Sequence, residues 1–588
     1  MRNPVSPFVY AKSDLDMRRS TFDRSQDHKT TMSSGSLYPV FVDEYLPGDT
    51  FSLDTSVLAR MSTPIHPVMD SVFMDVYFFS VPNRLIWTSW KAFMGEPPED
   101  PYLNPVEHSV PQLKNGLVRP DANINGGHYV PFKSVADYMG IPAGTAPQSF
   151  SALPFRAFAL IWNEWFRDQN LQNAIDIDTG DSDDFYVTKV AIDNNTSGAQ
   201  NYVTSTARGG VLPPVAKFHD YFTSALKQQQ RGDPVAIPLS GFAPVYAIGS
   251  GVNPYVRQVS DINSAIQYMT TSGLQANVNG DLGLETGHLK LRSGSDTPSG
   301  GIRVQMANTY ADLGGVNQNG DAALNAYATI NDLRYAFQIE KLLQTDNRFG
   351  TRYRELIYGH FGVTSPDQTQ QVPEFLGGKR LRINMNQVIQ TSATDDVSPQ
   401  GNTAAYSLTA DVSNSFTKSF TEHGWIIGVA CLRCTKSYQQ GQERMFSRKD
   451  RYDFYWPELA NIAEQPIKNK EIFNPSVGME LGSYTYDLAE EYFGFQEAWA
   501  EYRFKPNRIS GEFRSTYPQS LDIWHYGDYY TSQPYLSDEW IREDRSVIDR
   551  TLAVSSDLAD QFIVDFYFKC KATRPMPVYS IPGLADHH

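Results

Sequence analysis

Two cysteines spaced for metal or redox chemistry occur in the second half of the chain. Cys431 and Cys434 form a C-x-x-C pair, and Cys570 is the third and last cysteine among 588 residues. The pair lies in a run that alternates like a β-strand, where residues three apart point to opposite faces. No second pair follows to complete a zinc site. We therefore expect small buried side chains here, with no bound metal and no disulfide.

Aspartates between residues 176 and 184 have the charge density of a calcium-binding loop. The candidate ligands are Asp176, Asp178 and Asp181, because Ca²⁺ prefers carboxylate and carbonyl oxygens. Their order departs from that of an EF-hand, since the third acidic position falls on Gly180 and no glutamate closes the loop. The pattern favours a solvated acidic turn over a cation site.

The stretch 444–456 is the densest mixture of cationic and aromatic residues. Cations that bind phosphates beside rings that stack on bases are typical of single-stranded nucleic-acid sites. The DNA-facing candidates in this stretch are Arg444, Arg448, Lys449, Arg451 and Tyr452, and a second group after two glycines comprises Lys379, Arg380 and Arg382. The alternative, which we favour for 444–456, is a network of ion pairs between subunits that includes Asp450 and Asp453.

No arrangement of residues in the sequence points to catalysis. It contains no G-x-S-x-G, H-E-x-x-H or phosphate-binding P-loop motif. The eleven histidines are scattered, and none occurs in a recognisable triad. We predict that the protein is not an enzyme and uses no cofactor.

The elements that must carry these residues are mainly strands. Residues 51–61 alternate between apolar and polar. Residues 72–81 are apolar on both faces apart from Asp75 and Ser80, and residues 561–569 are an aromatic strand. We expect the last two to be neighbours in one sheet of a β-sandwich. Aromatic residues at helical spacing predict a helix over 154–172, and 330–361 predicts two further helices.

Composition and charge exclude several classes of protein. Apolar residues make up 41% and charged residues 20% of the chain, which is typical of a globular protein. The longest apolar runs are far shorter than the ~20 residues of a membrane helix, and the first residues do not resemble a signal peptide. A formal charge of −16 argues against a dedicated nucleic-acid binder.

The polarity of the chain suggests its division into domains. Residues 1–45 are predicted to form an N-terminal arm that packs on a neighbour. The core comprises residues 46–241 and 329–588, with inserted helices and loops. Residues 242–328 are dominated by Gly, Asn, Ser, Ala and Thr, which predicts a variable, polar surface insertion.

Long motifs spread over the whole chain resemble the major capsid protein of microviruses, the small icosahedral single-stranded-DNA bacteriophages, and among them the gokushovirus group. The most specific motif is the helix Leu153-Pro-Phe-Arg-Ala-Phe-Ala-Leu-Ile-Trp-Asn-Glu-Trp-Phe-Arg-Asp-Gln-Asn-Leu-Gln. Others are Asp43-Glu-Tyr-Leu-Pro-Gly-Asp-Thr-Phe, Thr63-Pro-Ile-His-Pro-Val-Met-Asp, His360-Phe-Gly-Val-Thr-Ser-Pro-Asp and Glu497-Ala-Trp-Ala-Glu-Tyr-Arg-Phe-Lys-Pro. The resemblance fades at 176–208 and 242–328.

This resemblance implies a mainly β fold, an eight-stranded antiparallel jelly roll with long loop and helical insertions. It implies a T=1 icosahedral shell of 60 copies around circular single-stranded DNA. The insertion 242–328 would form a protrusion at the threefold axis, and its polar surface suits contact with a host cell-surface receptor. The protein would be part of the virion, would be assembled in the bacterial host cytoplasm and would not insert into a membrane.

The charge of such a shell implies further partners. Sixty copies at −16 each give a shell of about −960, so net charge cannot neutralise the genome. We therefore expect a small basic DNA-packaging protein, which the family carries. The resemblance also implies internal scaffolding and DNA-pilot proteins. The competing hypothesis is a carbohydrate-binding β-sandwich adhesin, which would be a monomer or trimer with a groove lined by exposed tryptophans.

Overall fold

Two packed antiparallel sheets dominate the computed structural model. It describes residues 19–96, 107–115, 130, 132–143, 149–186, 205–235, 242–244, 283–285, 288–290, 310–312, 330–389, 391, 403–475, 486–554 and 558–579. The strands in these ranges are β1 (Ser20–Asp23), β2 (Gln26–Met32), β3 (Leu37–Tyr45), β4 (Thr50–Met61), β5 (Val72–Pro82), β6 (Gln112–Asn115), β7 (Phe150–Ser151), β8 (Asp184–Tyr186), β9 (Phe242–Pro244), β10 (Gly283–Glu285), β11 (His288–Lys290), β12 (Tyr310–Asp312), β13 (Glu374–Arg382), β14 (Met385–Ile389), β15 (Thr403–Ser407), β16 (Thr409–Ser419), β17 (Gly424–Cys434), β18 (Glu464–Lys468), β19 (Tyr492–Glu497) and β20 (Phe562–Arg574).

Most of the helices between these strands are short. They are α1 (Asn83–Ile86), α2 (Trp90–Phe93), α3 (Val135–Tyr138), α4 (Leu153–Ile161), α5 (Ile330–Phe349), α6 (Tyr353–Phe361), α7 (Asp367–Gln370), α8 (Asn469–Ile472), α9 (Tyr486–Glu490), α10 (Asp538–Ile541) and α11 (Ser546–Asp549). The predicted helix at 154–172 is α4 followed by a π-helical turn that ends at Phe166. The two helices predicted for 330–361 are confirmed by α5 and α6.

The first sheet is built around the strand nearest the end of the chain. β20 pairs on one side with β1 and β2 and on the other with β4, which pairs in turn with β16. In β4 the apolar residues alternate with polar ones, and every second side chain is buried. This is the pattern of a sheet with one face on the core and one in solvent.

The second sheet has the order β13–β5–β17–β3. Aromatic rings join its inner face to that of the first sheet. The ring centroid of Phe568 on β20 lies 5.0 Å from that of Phe41 on β3 and 6.2 Å from that of Phe78 on β5. Such packed faces make a β-sandwich core.

The outer face of the second sheet is also covered. Phe79 on β5 and Ile427 on β17 pack in one apolar cluster with Phe155 and Phe158 of α4. β5 is therefore buried on both faces, as its apolar run, interrupted only by Asp75 and Ser80, predicts. This layer fixes α4 against the sheet and explains the aromatic stripe of the helix.

The prediction that β5 and β20 are neighbours in one sheet is wrong. β5 pairs with β13 and β17 in the second sheet, whereas β20 belongs to the first. The two strands face each other across the core, where Phe78 meets Phe568. Aromatic strands contact each other equally well within a sheet and across a sandwich, so their composition could not distinguish the two arrangements.

The predicted arm, residues 1–45, also differs from the structure over its second part. Residues 20–45 contain β1, β2 and β3, and all three strands lie in the main sheets. Leu37, Val40 and Phe41 are buried in the core. The polar residues of β1 and β2 belong to edge strands with an exposed face, which made the segment resemble an arm.

The chain divides into two compact units. One comprises Met1–Gln229 and Asp346–His588 and contains both main sheets; the other comprises Gln230–Thr345. In the second unit β9 pairs with β12, and β10 pairs with β11. Most of the insertion predicted at 242–328 lies outside the described residues.

Candidate functional site

The basic and aromatic stretch 444–456 forms two short 3₁₀ turns, Arg444–Phe446 and Arg451–Asp453. The carboxylate of Asp453 caps the second turn, since it accepts hydrogen bonds from the backbone N–H groups of Lys449 at 2.7 Å and Asp450 at 2.9 Å. The bonds from Asp450 and Lys449 lower the pKa of Asp453. This aspartate, for which the sequence favours a pair with another subunit, therefore supports a turn in its own chain.

The two arginines at and after the first turn point into the protein. Arg444 lies 3.0 Å from Glu471, and Arg448 lies 3.3 Å from Glu501. Both side chains are largely buried, with 14% and 10% of their surface exposed. Burial acts to lower the pKa of Arg444, but Glu471, Tyr221 and Glu501 together outweigh it, so the pKa is raised. The ion-pair network that the sequence favours is present, but it lies within one chain.

The remaining candidates of this stretch are exposed. Lys449, Arg451 and Tyr452 all lie at the surface. The guanidinium of Arg451 lies 5.2 Å from the ring of Tyr452 and 5.5 Å from that of Trp456. These groups are accessible to a partner molecule, in contrast to Arg444 and Arg448.

The second group of candidates lies on β13, and it too contains residues engaged in ion pairs and a residue that is exposed. Lys379 forms an ion pair with Asp411. Arg380 reaches Asp75 at 2.6 Å, and the hydrogen bond raises the pKa of Arg380. Asp75 is fully buried, so this pair holds β13 on β5. Arg382, at the end of the strand, is exposed.

The aspartate cluster at 176–184 is an acidic turn with internal partners. Asp181 accepts a hydrogen bond from the indole N–H of Trp87 at 2.6 Å, and its other oxygen lies 2.8 Å from His108 Nδ1. Asp178 accepts from the N–H of Gly180 at 2.8 Å, and Asp176 is exposed. Within the described ranges, no three His, Cys, Asp or Glu side chains are placed to hold one metal ion.

The C-x-x-C cysteines lie on opposite faces of β17. Cys431 packs in the cluster around α4, whereas Cys434 packs in the core between the sheets. Burial raises the pKa of the Cys431 thiol to about 12 and that of Cys434 well above its ordinary value. The Sγ of Cys434 donates to Glu543 at 2.9 Å. Both side chains are thus packing groups in the structure.

Sequence reasoning missed a cluster of four buried charges. Lys217 lies 2.9 Å from Asp528, Lys436 lies 3.4 Å from Asp528, and Lys436 lies 3.1 Å from Glu543. Burial would raise the pKa of Asp528, but Lys436 and Lys217 lower it well below its ordinary value. No local motif signals this site, because its four members come from distant parts of the chain. Two cations and two carboxylates balance, which makes their burial tolerable.

Similarity along the whole chain decides its family. A family model described as capsid protein (F protein) matches residues 13–584. The chain belongs to this capsid-protein family. The family is structural, so the capsid protein is not an enzyme.

Curated relatives support the same assignment over nearly their full length. Capsid protein VP1 of Chlamydia phage 1 is 38% identical over 595 residues, covering 97% of this chain and 96% of the relative. Capsid protein VP1 of Bdellovibrio phage phiMH2K is 37% identical, with 96% of this chain and 95% of the relative covered. Capsid protein VP1 of Spiroplasma virus 4 is 37% identical, with 95% of this chain and 94% of the relative covered. The resemblance to gokushovirus capsid proteins is confirmed.

The described part of the capsid protein does not present the groove of exposed tryptophans expected of the adhesin. All nine tryptophans lie in the described ranges, and Trp456 alone is exposed. A carbohydrate groove lined by several exposed tryptophans is therefore not formed. Among the described residues, no helix combines the length and apolar character needed to cross a bilayer.

Proposed function

We propose that this capsid protein assembles into a T=1 icosahedral shell of 60 copies that encloses circular single-stranded DNA. The observation that carries the proposal is the match to the capsid-protein family over residues 13–584, nearly the whole chain. The packed sheets supply a rigid body suited to repeated contacts.

We further assign the sandwich to the eight-stranded jelly roll. The strand orders β2–β20–β4–β16 and β3–β17–β5–β13 support this assignment. From β2 to β5 each strand lies in the sheet opposite to the one before it, and β13, β16, β17 and β20 alternate in the same way. Such crossing between two sheets is what a folded double Greek key produces.

The insertion at 242–328 is proposed to form the threefold protrusion and to contact the host receptor. Its support is compositional, since Gly-, Asn- and Ser-rich surfaces offer adaptable hydrogen bonds. Deleting 242–328 should abolish adsorption of the phage to its host while shells still form. Unchanged adsorption by the deleted shells would refute this role.

Contact with the genome is proposed for candidates that remain exposed. These are Arg382, Lys449, Arg451 and Tyr452, since Lys379, Arg380, Arg444 and Arg448 are engaged with carboxylates. The acidic net charge supports the need for a small basic packaging protein. Internal scaffolding and DNA-pilot proteins, and assembly in the host cytoplasm, complete the proposal.

Electron microscopy with sedimentation of the protein from its natural source tests the assembly. We expect icosahedral particles of several megadaltons, either hollow or filled with DNA. A species of one to three chains under the same conditions would contradict the proposal and favour the adhesin.

A further inference from the structure

Three arginines and a single carboxylate share one area on the outer face of the second sheet, near the start of β5. Arg380 and Arg382 lie on β13, and Arg433 lies on β17. On β5, which runs between these strands, Asp75 is opposite Arg380, and Phe73 is opposite the other two arginines. Side chains alternate between the faces of a strand, and the residues next to these five are buried between the sheets. All five side chains therefore lie on the face that points away from the sandwich core.

Asp75 is the shared partner of two of these arginines. Its carboxylate accepts hydrogen bonds from Nε of Arg380 at 2.6 Å and from Nη2 of Arg380 at 3.2 Å. It also accepts a hydrogen bond from Nη2 of Arg433. Arg382 is exposed, and the described ranges supply no carboxylate that pairs with it. One carboxylate thus serves two arginines, and the third arginine is left over.

The arginine cluster, defined as Arg380, Arg382, Arg433 and Asp75, carries an excess charge of +2, because three guanidiniums face one carboxylate. A phosphate monoester with about −1.5 to −2 charge at pH 7 neutralises this excess, and so do two successive phosphates of a DNA backbone. A single further carboxylate would leave one positive charge unbalanced. The planar fork of arginine also matches the spacing of phosphate oxygens. Charge and geometry therefore favour phosphate as the ligand.

An aromatic ring holds two of the guanidiniums in place. The guanidinium carbon of Arg433 lies 4.3 Å from the ring centroid of Phe218, and that of Arg380 lies 4.5 Å from it. The ring of Phe218 meets the ring of Phe73 edge-on at 5.9 Å, and the hydroxyl of Thr223 donates to the carbonyl oxygen of Phe218 at 2.7 Å. Stacked and paired guanidiniums have little freedom left to lose when a ligand binds. The cluster is thus pre-organised, while the Arg380 side chain stays 47% exposed.

From these observations we infer that Arg380, Arg382 and Arg433 together bind a phosphate group. The inference rests on the proposed contact of Arg382 with the genome and deepens it, because it names the ligand and adds two arginines to the site. The DNA backbone and a free phosphate are both sources of this group, since they offer the same oxygens. A purely structural role for the cluster does not explain Arg382, because Asp75 is already bonded by the other two arginines.

Calorimetric titration of the unassembled full-length chain with inorganic phosphate tests the site. At low ionic strength we expect one phosphate to bind per chain. Arg382→Gln should weaken this binding about tenfold or more, the loss expected when hydrogen bonds between charged groups are removed. Arg60→Gln is the matched control, because it makes the same change at an exposed arginine of β4 in the first sheet. Absence of phosphate binding, or equal affinities of the two variants, would overturn the inference.

A competition experiment separates the two sources of the phosphate group. A short oligothymidylate without a terminal phosphate offers only backbone phosphates, and its displacement of inorganic phosphate would identify the DNA backbone as the source. Binding of inorganic phosphate without displacement would assign the site to a free phosphate group; it would support the inference and refute the proposed genome contact of Arg382. Failure of the wild-type chain to form shells would refute the proposed assembly but would not change these titrations, because they use the unassembled chain.

Discussion

Removal of the Asp528 carboxylate tests how the buried charge cluster acts on stability. Only 6% of this side chain is exposed, and it is the ion-pair partner of Lys217 at 2.9 Å and of Lys436 at 3.4 Å. In Asp528→Ala, Lys436 keeps Glu543 as a partner, but the buried Lys217 loses its pair. Breaking a buried pair from one side costs about 3–5 kcal/mol, because a charge is left uncompensated. We expect the free energy of unfolding to fall by this amount.

An exposed ion pair provides the matched control. Asp565 lies 3.6 Å from Lys29; the Lys29 side chain is 70% exposed and that of Asp565 is 40% exposed. Surface pairs contribute about 0–1 kcal/mol, so Asp565→Ala should leave stability nearly unchanged. The difference in the free energy of unfolding between the two variants separates the effect of burial from the effect of losing an aspartate.

Urea unfolding of the unassembled chain measures both variants. Tryptophan fluorescence and circular dichroism would each be followed, because Trp540 lies beside the cluster, 4.6 Å from Lys217 Nζ. With a slope near 3 kcal/mol per molar urea, the expected loss moves the midpoint of Asp528→Ala down by about 1 M or more. Equal midpoints for Asp528→Ala and Asp565→Ala would refute the reasoning.

The same variant has a defined pH dependence. The pKa of Asp528 is lowered in the folded chain, whereas an unfolded aspartate titrates near 3.9. A lowered folded pKa stabilises the protein above the unfolded value and loses that contribution as the pH falls through the folded pKa. The stability difference between wild type and Asp528→Ala should therefore be constant between about pH 5 and pH 8 and should shrink below about pH 4.

Two further predictions concern the core. Phe568→Ala should lower the free energy of unfolding by about 3–5 kcal/mol, because removal of a fully buried ring between the sheets leaves a cavity. Tyr567→Ala, on the solvent face of the same strand, is the control. Equal urea midpoints for the two variants would contradict the assigned faces. Iodoacetamide at pH 8 should label none of the three cysteines in the native chain and all three in denaturing urea. Cys431 and Cys434 are buried, and burial raises the pKa of the Cys570 thiol to about 11. Mass spectrometry of the labelled chain checks this, and native labelling of any one thiol would show that its strand is open.

The local pattern of the sequence predicts the main strands and the central helix. The alternation in β4, the apolar run of β5 and the aromatic stripe of α4 each match an element of the structure. Motifs along the whole chain indicate the capsid-protein family, which the family match confirms. These features are readable because periodicity reports which face of a strand or helix is buried, and the burial of apolar surface is the main driving force of folding.

The tertiary structure alone decided the sheet partners and the state of each charge. Periodicity places Phe78 and Phe568 on inner faces, but it does not say whether their strands lie beside or across from each other. Arg444 and Arg451 look alike in the sequence, yet one is buried on Glu471 and the other lies at the surface. The cluster around Asp528 unites residues up to 326 positions apart, Lys217 and Glu543. An ion pair depends on distance and on exclusion of water, and both are set only when distant segments pack together.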